Sequence, residues 1–498
     1  MAEKNHSGKI CYHLIVDFFS KIFFIFFKVN SNELSFTNDD SQWHSKCHQI
    51  CVYLHNSLSK IFPILEWAPK YHREWALSDL IAGLTLVSLH IPQAIAYARL
   101  AGVEPIHGLY VSIFPALIYV VMGTSKQISI GTFAVVSIAC RDILTKYNDS
   151  NLSTEKSIEI LCTLSFLVGV IQITVGALKM GALKALLSDA LISAFIGAST
   201  LHVLTSQIGT LAGLDESIER HAGVFSLIRT WISFVQNILT ANLFTGFLSI
   251  TTLAVLWSTK KYFEPYILSR FSLKNIIIPI DIICIIVLMI VSHTFDLQGQ
   301  YKVELCSTFS KPILDGWSTI PKIVHLEHIP HLLSSALVLS LIIYVTSYSL
   351  ANIFANRHNY KISANQELVA LGVANLVSSF MQCYPCSSSL SRSLVQERVG
   401  GKTQISSLIS IFFVTIFAIK FTHLLALLPK CALAAIIVCA LIPSLCKLNQ
   451  LEYFWKVSLL DGIVWTVTFT SVIIIGVETG LLIGLTASTF HFLVDTFR

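Results

Sequence analysis

From residue 80 to the end of the chain, apolar stretches of membrane-crossing length follow one another with almost no polar linker between them. A helix needs about 20 apolar residues to cross the hydrocarbon of a bilayer. Runs of that kind read near 80–98, 107–122, 132–142, 157–178, 184–212, 242–258 and 274–293. A second set reads near 330–353, 366–381, 390–398, 405–420, 424–443, 459–476 and 479–494. Only 13% of the residues are charged and 54% are hydrophobic, against about 25% charged in a soluble domain. The expected fold class is therefore an all-α polytopic membrane protein with about fourteen transmembrane segments.

Residues 1–75 read as a cytoplasmic N-terminal region, and 76–498 as the transmembrane domain. The aromatic-rich stretch 14–29 is interrupted by Asp17 and Lys21, which favours an interfacial segment over a signal anchor. The segments 223–238 and 444–457 are short and amphipathic, so they are expected to lie along the interface. Basic clusters at 60–73, 179–184, 260–274, 357–361 and 398–402 fall on one side by parity. By the positive-inside rule that side is cytoplasmic, and both termini are expected there, with the plasma membrane as the expected location. The opposite face holds the sequons at Asn148 and Asn151, two expected glycosylation sites in one short loop. The net charge of +5 lies in these flanks and forms no basic stripe for nucleic acid.

The third run of each set is too short to cross. About ten helical residues reach about 15 Å, half the hydrocarbon thickness. Seven runs per set is an odd number, so the second set must run upside down relative to the first. Paired, interrupted segments at matching positions point to a transporter's binding site. Extended chain at 123–131 precedes the first half-helix, and Cys383-Tyr384-Pro385-Cys386-Ser387-Ser388-Ser389 precedes the second. Each half-helix then starts near the bilayer centre with free N–H groups, and two such starts together approximate one positive charge.

Arg392 falls in the first turn of the second half-helix. An arginine inside a membrane is costly and marks a functional site by default. A purely structural ion pair with Glu397 is the competing reading. Gln93 and Tyr97 share one face of the first span, and Pro92 before them should bend that helix and free a carbonyl. Taken alone, Gln93 and Tyr97 more often mean ordinary helix packing, and Phe133 at the first half-helix more often means a core position. Ser78 and Asp79 read as caps for the first span. The twelve cysteines are scattered through apolar runs. Cys383 and Cys386 have C-x-x-C spacing but lack a βαβ context. Gly400-Gly401-Lys402-Thr403 lacks the earlier glycine of a phosphate loop, because Gln396 stands there. No metal site, cofactor site or nucleophile elbow is legible, and the chain reads as a non-enzyme.

At these residues the chain resembles the sulfate permease family, in its animal branch of anion exchangers. The resemblance covers about residues 60–498. Its motifs are Phe62-Pro63-Ile64-Leu65-Glu66-Trp67, Pro92-Gln93-Ala94-Ile95-Ala96-Tyr97, the stretch 123–135, Asn365-Gln366-Glu367-Leu368, and Ser389-Leu390-Ser391-Arg392-Ser393-Leu394-Val395-Gln396-Glu397. The resemblance implies a 7+7 inverted repeat in which a core domain (76–180 and 328–421) moves as an elevator against a gate domain (181–294 and 422–498). It implies an anion site at Gln93, Tyr97, Phe133, Leu390, Ser391 and Arg392, and exchange of chloride, bicarbonate, sulfate or oxalate. An uncoupled anion channel and a voltage-responsive anion-binding motor are the alternatives. Thr346 stands where proton-coupled relatives carry glutamate, which favours exchange. Arg392 stands where animal sulfate carriers tend to have lysine, which leans toward chloride, bicarbonate or oxalate. Family members usually continue into a cytoplasmic STAS domain, whereas this sequence stops at Arg498. That end reads as either an incomplete product or a natural short form. A homodimer is the family expectation, and the oligomeric state is left open without that domain.

Overall fold

The apolar runs become helices whose ends are set by local chemistry. The computed structural model describes residues 58–146, 154–181, 188–214, 223–263, 266, 280–306 and 328–497, in two units, Met1–His72 and Arg73–Arg498. In the first unit a short helix, Ile64–Trp67, leads into the 3-10 turn Ala68–Lys70. The second unit carries the helices of eight or more residues. They are α1 (Ala76–Ala101), α2 (Pro105–Met122), α3 (Ala134–Lys146), α4 (Thr154–Ala177), α5 (Asp189–Ala212), α6 (Ser226–Asn237), α7 (Leu243–Ser258) and α8 (Ile280–Thr294). The second set comprises α9 (Ile329–Arg357), α10 (Ala364–Ser379), α11 (Leu390–Val399), α12 (Ile405–Lys420), α13 (Lys430–Leu445), α14 (Gln450–Val457), α15 (Leu459–Ile475) and α16 (Val477–Phe497). Proline opens α2, the Ser188 hydroxyl caps α5 by accepting from Leu191 N, and left-handed Gly102 and Gly213 close α1 and α5.

Eight helices among the described residues are long and apolar enough to cross a bilayer, and α8, α12 and α15 are shorter apolar helices. Their outward faces are greasy: Phe247, Ile250 and Phe490 are each about two-thirds exposed, as lipid-facing residues are. Helix α6 likewise presents Ile228, Trp231, Ile232 and Val235 outward. Asn148 and Asn151 lie outside the described residues.

Packing runs through small residues, because lipid tails supply no hydrophobic drive between helices. Helices α4 and α10 meet at Gly169 and Gly372. A Cβ on Gly169 would stand 2.5 Å from Leu376 N, and one on Gly372 would stand 2.8 Å from Ile173 N. Beside that contact, Asn375 donates to Gln172 Oε1 (3.3 Å) and Gln172 donates to the Ser340 carbonyl (3.0 Å), joining α10, α4 and α9. Helix α1 packs on α2, α3, α11 and α12, while α5 packs on α13, α15 and α7.

Two sequence expectations change. Helix α1 starts at Ala76, so Ser78 and Asp79 lie inside its first turn and do not cap it. Asp79 is fully buried and instead accepts from Lys402 N (2.7 Å), Thr403 N (3.1 Å) and Thr403 Oγ1 (2.6 Å), while Ser78 donates to the Gly400 carbonyl. These two residues hold the turn after α11, a partner more than 320 positions away. The first half-helix runs on through Arg141 and Asp142 to Lys146 and starts later, at Ala134. Pro92 lies inside α1, as expected from the sequence, and the helix continues past it to Ala101.

Candidate functional site

Two extended strands, β1 (Ile130–Gly131) and β2 (Ser387–Ser388), lead into α3 and α11 and pair antiparallel, Ile130 opposite Ser388 and Gly131 opposite Ser387. Ser389 N donates to the Ser129 carbonyl (3.1 Å), and Ser129 N donates to Ser393 Oγ (2.9 Å), extending the tie on one side. Backbone at membrane depth must have its polar groups satisfied by protein or by a water-lined cavity. The coil before β1 meets that demand with side chains from the second half. Gln404 donates to the Ser125 and Ile128 carbonyls, and Gln396 to that of Lys126. Glu367 accepts from Thr124 N (2.8 Å), Thr124 Oγ1 (2.5 Å) and Tyr119 OH (2.9 Å). In the loop between α9 and α10, the Tyr360 hydroxyl donates to Gln127 Oε1 (2.8 Å).

The half-helices are 13 and 10 residues long, about 20 and 15 Å. Phe133 stands just before α3, its carbonyl accepting from Ser137 N (2.9 Å). Ser389 holds the N-cap position of α11 without a side-chain cap bond, and its hydroxyl lies 3.2 Å from Ser391 Oγ. The first-turn amides of α11, at Leu390, Ser391 and Arg392, are therefore left without a side-chain acceptor at the cap.

Arg392 crosses from α11 to the other half of the chain. It is fully buried and donates from Nη1 to Gln93 Oε1 (2.9 Å), from Nη2 to the Thr132 carbonyl (2.8 Å) and from Nε to Ser129 Oγ (3.3 Å). A guanidinium has five N–H donors. Three are used among the described residues, which leaves two. Glu397 is engaged elsewhere, with Arg357 Nη1 and His358 Nε2, both at 3.0 Å. Among the described residues no carboxylate lies within ion-pair distance of Arg392. The competing ion-pair reading of this residue therefore fails. Gly131 allows the close approach: its φ of +155° is one that side-chain-bearing residues rarely adopt, and a Cβ there would lie 3.1 Å from Arg392 Nη2.

Of the six residues marked in the sequence, Gln93, Ser391 and Arg392 are joined by hydrogen bonds, Gln93 Nε2 donating to Ser391 Oγ at 3.4 Å. Phe133 and Leu390 stand at the two half-helix starts, the first buried and the second half-buried. Tyr97 is buried on α1, one turn beyond Gln93, and takes no part in these hydrogen bonds. Sequence reading missed Ser129 and His90, whose Nε2 is 3.0 Å from Ser129 Oγ. A histidine three positions before Gln93 in an apolar span was the available signal. Thr346, marked by comparison with proton-coupled relatives, lies 3.1 Å from Ser387 Oγ, on β2. A cavity of about 300 Å³ lies at the far end of α3, lined by Arg141, Asp142, Lys146, His202, Ser226 and Glu478 among others.

This arrangement can hold a small anion by charge and by N–H donors. Residues 77–468 match the sulfate permease family. The chain belongs to that family. It is 32% identical over 470 residues to the sulfate transporter of Bos taurus, a match that spans 89% of this chain and 62% of that one. It is 32% identical over 467 residues to human solute carrier family 26 member 6, covering 91% and 60%. The solved murine Slc26a9 anion transporter superposes with a TM-score of 0.79 at 26% identity, over 96% of this chain and 75% of that one. The chain thus spans about three-fifths of the length of the curated relatives it matches. With the family, the predominantly helical polytopic membrane fold expected from the apolar runs is established.

Proposed function

We propose that this chain is a secondary active anion transporter, an exchanger of the chloride, bicarbonate, sulfate or oxalate type. The carrying observation is Arg392: a buried guanidinium between two half-helix starts, with two N–H donors left over and no carboxylate beside it among the described residues. Burying that charge without a partner is costly. An anion from solution offsets the cost and receives the helix-start amides as well. Gln93, Ser391, Tyr97, Phe133 and Leu390 complete the proposed anion site, the first two as polar contacts and the others as its walls.

The core (76–180 and 328–421) carries the site and moves as an elevator against the gate (181–294 and 422–498). In support, helices α1–α4 interlock with α9–α12, and α5 with α13, α15 and α16, while fewer contacts join the two groups. The names of the relatives, a sulfate transporter and an anion transporter, agree with the reading. We place both termini in the cytoplasm on the strength of the basic flanks, and propose the plasma membrane as the location.

The test is chloride flux into proteoliposomes. Exchange predicts that a second anion on the opposite side accelerates it. Flux indifferent to the trans anion would sink exchange in favour of a channel. Charge movement without net flux would support an anion-binding motor.

A further inference from the structure

Beside Arg392 sits a titratable group that the proposed transport reading does not use. His90 is 4% exposed, on α1 one turn before Gln93. Its Nε2 lies 3.0 Å from Ser129 Oγ, the same oxygen that accepts from Arg392 Nε at 3.3 Å. A Cβ on Gly131 would stand 3.4 Å from His90 Cε1 and 3.1 Å from Arg392 Nη2, so ring and guanidinium converge on one spot. The other ring nitrogen, Nδ1, is buried and has no hydrogen-bond partner. Leaving a buried ring nitrogen unpaired is costly in either tautomer.

The other charged or titratable groups on elements packed against α1 are occupied or remote. On α2, His107 bonds the Gln382 carbonyl, while Tyr110 packs against the rings of His107 and Phe114. On α3, Arg141 and Asp142 lie toward its far end. On α8, Asp281 pairs with Lys260. On α13, Lys430 pairs with Glu304, while Cys431 and Cys439 are buried thiols. Helix α12 carries only Lys420, at its last turn. On α1 itself, Asp79 holds the turn at Lys402 and Thr403, and Tyr97 is two turns away. Arg392, on α11, is the charge that faces the ring.

We propose that His90 is the proton-binding partner of this anion site, so that an anion and a proton bind together. The inference rests on the anion reading of the half-helix starts. With the site empty, a second cation sharing Ser129 with Arg392 would be repelled, and His90 stays neutral. An anion between the half-helix starts cancels that repulsion. The imidazole then takes one proton from solution, at whichever ring nitrogen was unprotonated, and both ring nitrogens become donors. Ser129 Oγ now accepts from His90 Nε2–H and from Arg392 Nε–H. Where its own hydrogen had pointed at His90, that hydrogen is released toward the anion. No bond other than N–H is made, and the charge gained equals the proton taken up. By linkage, the anion promotes protonation to the same extent that protonation promotes anion binding.

The test uses the full chain in two measurements. Chloride binding is followed by calorimetry near pH 7 in buffers of different ionisation enthalpy, which counts protons taken up per anion. Chloride exchange in proteoliposomes then gives KM against pH for the native protein and for His90→Gln, whose amide can still reach Ser129. The expected results are uptake of a sizeable fraction of one proton per chloride, and a KM that falls about 3- to 10-fold between pH 7.5 and 5.5. His90→Gln should flatten that slope. Binding with no proton uptake, or an equal slope in His90→Gln, overturns the inference. If the variant fails to fold, the calorimetry of the native protein decides alone. Arg392→Gln, measured in parallel, separates the two proposals. Chloride binding retained there sinks the site itself, whereas loss there with an unchanged His90→Gln slope sinks only the part given to His90.

Discussion

The two half-helices look alike in length and entry strand, yet they divide the work unequally. Helix α11 brings the charge, Arg392, with two hydroxyls, Ser389 and Ser391, at its start. The lead into α3 brings acceptors: the Thr132 carbonyl and Ser129 Oγ, both on Arg392. Their far ends differ as well. The turn after α11 is held by buried Asp79 through three hydrogen bonds. The end of α3 is held by Lys146 on Glu478, at 2.6 Å with the lysine side chain 54% exposed. In the proposed site the chemistry is not symmetric: α11 supplies the ligand group, and the lead into α3, with Gln93 on α1, holds it in place.

Substitutions that touch one half-helix at a time should break or sharpen this contrast. Asp79→Ala strands three donors at the end of α11 and should cost about 3 kcal/mol of stability, read as a lower thermal midpoint in detergent. Arg392→Gln should weaken chloride dependence of flux by about 30-fold or more, since a charge-assisted bond is worth about 2 kcal/mol. Retention of full chloride dependence would overturn the site assignment. Ser391→Ala, which removes one neutral hydroxyl, should raise the apparent KM about 3-fold and leave the thermal midpoint in place. Lys146→Gln, at the exposed end of α3, should change stability by less than about 1 kcal/mol. If it destabilised as much as Asp79→Ala, the proposed asymmetry of the two ends would be wrong.

Much of this was legible in the sequence because it is local. Run length marked the helices, and a run too short to cross marked α3 and α11. Arg392 stood out as a charge where charges are expensive. What was not legible is non-local. Asp79 resembled a helix cap because aspartate near a helix start usually is one, yet its partners lie 323 and 324 positions away. Ser129 looked like one more polar residue in a coil, and its bond to Arg392 spans 263 positions. The pairing of β1 with β2 had no signature either, since two residues in a strand carry no periodicity to read.

That small ladder has a consequence for direction. Four residues in fixed register, Ile130 with Ser388 and Gly131 with Ser387, fasten the two halves of the proposed pocket to each other. In a carrier of the proposed kind the pocket would then travel as one unit and present the same chemistry to either solution. The sense of net movement through such a carrier is dictated by the gradients it meets.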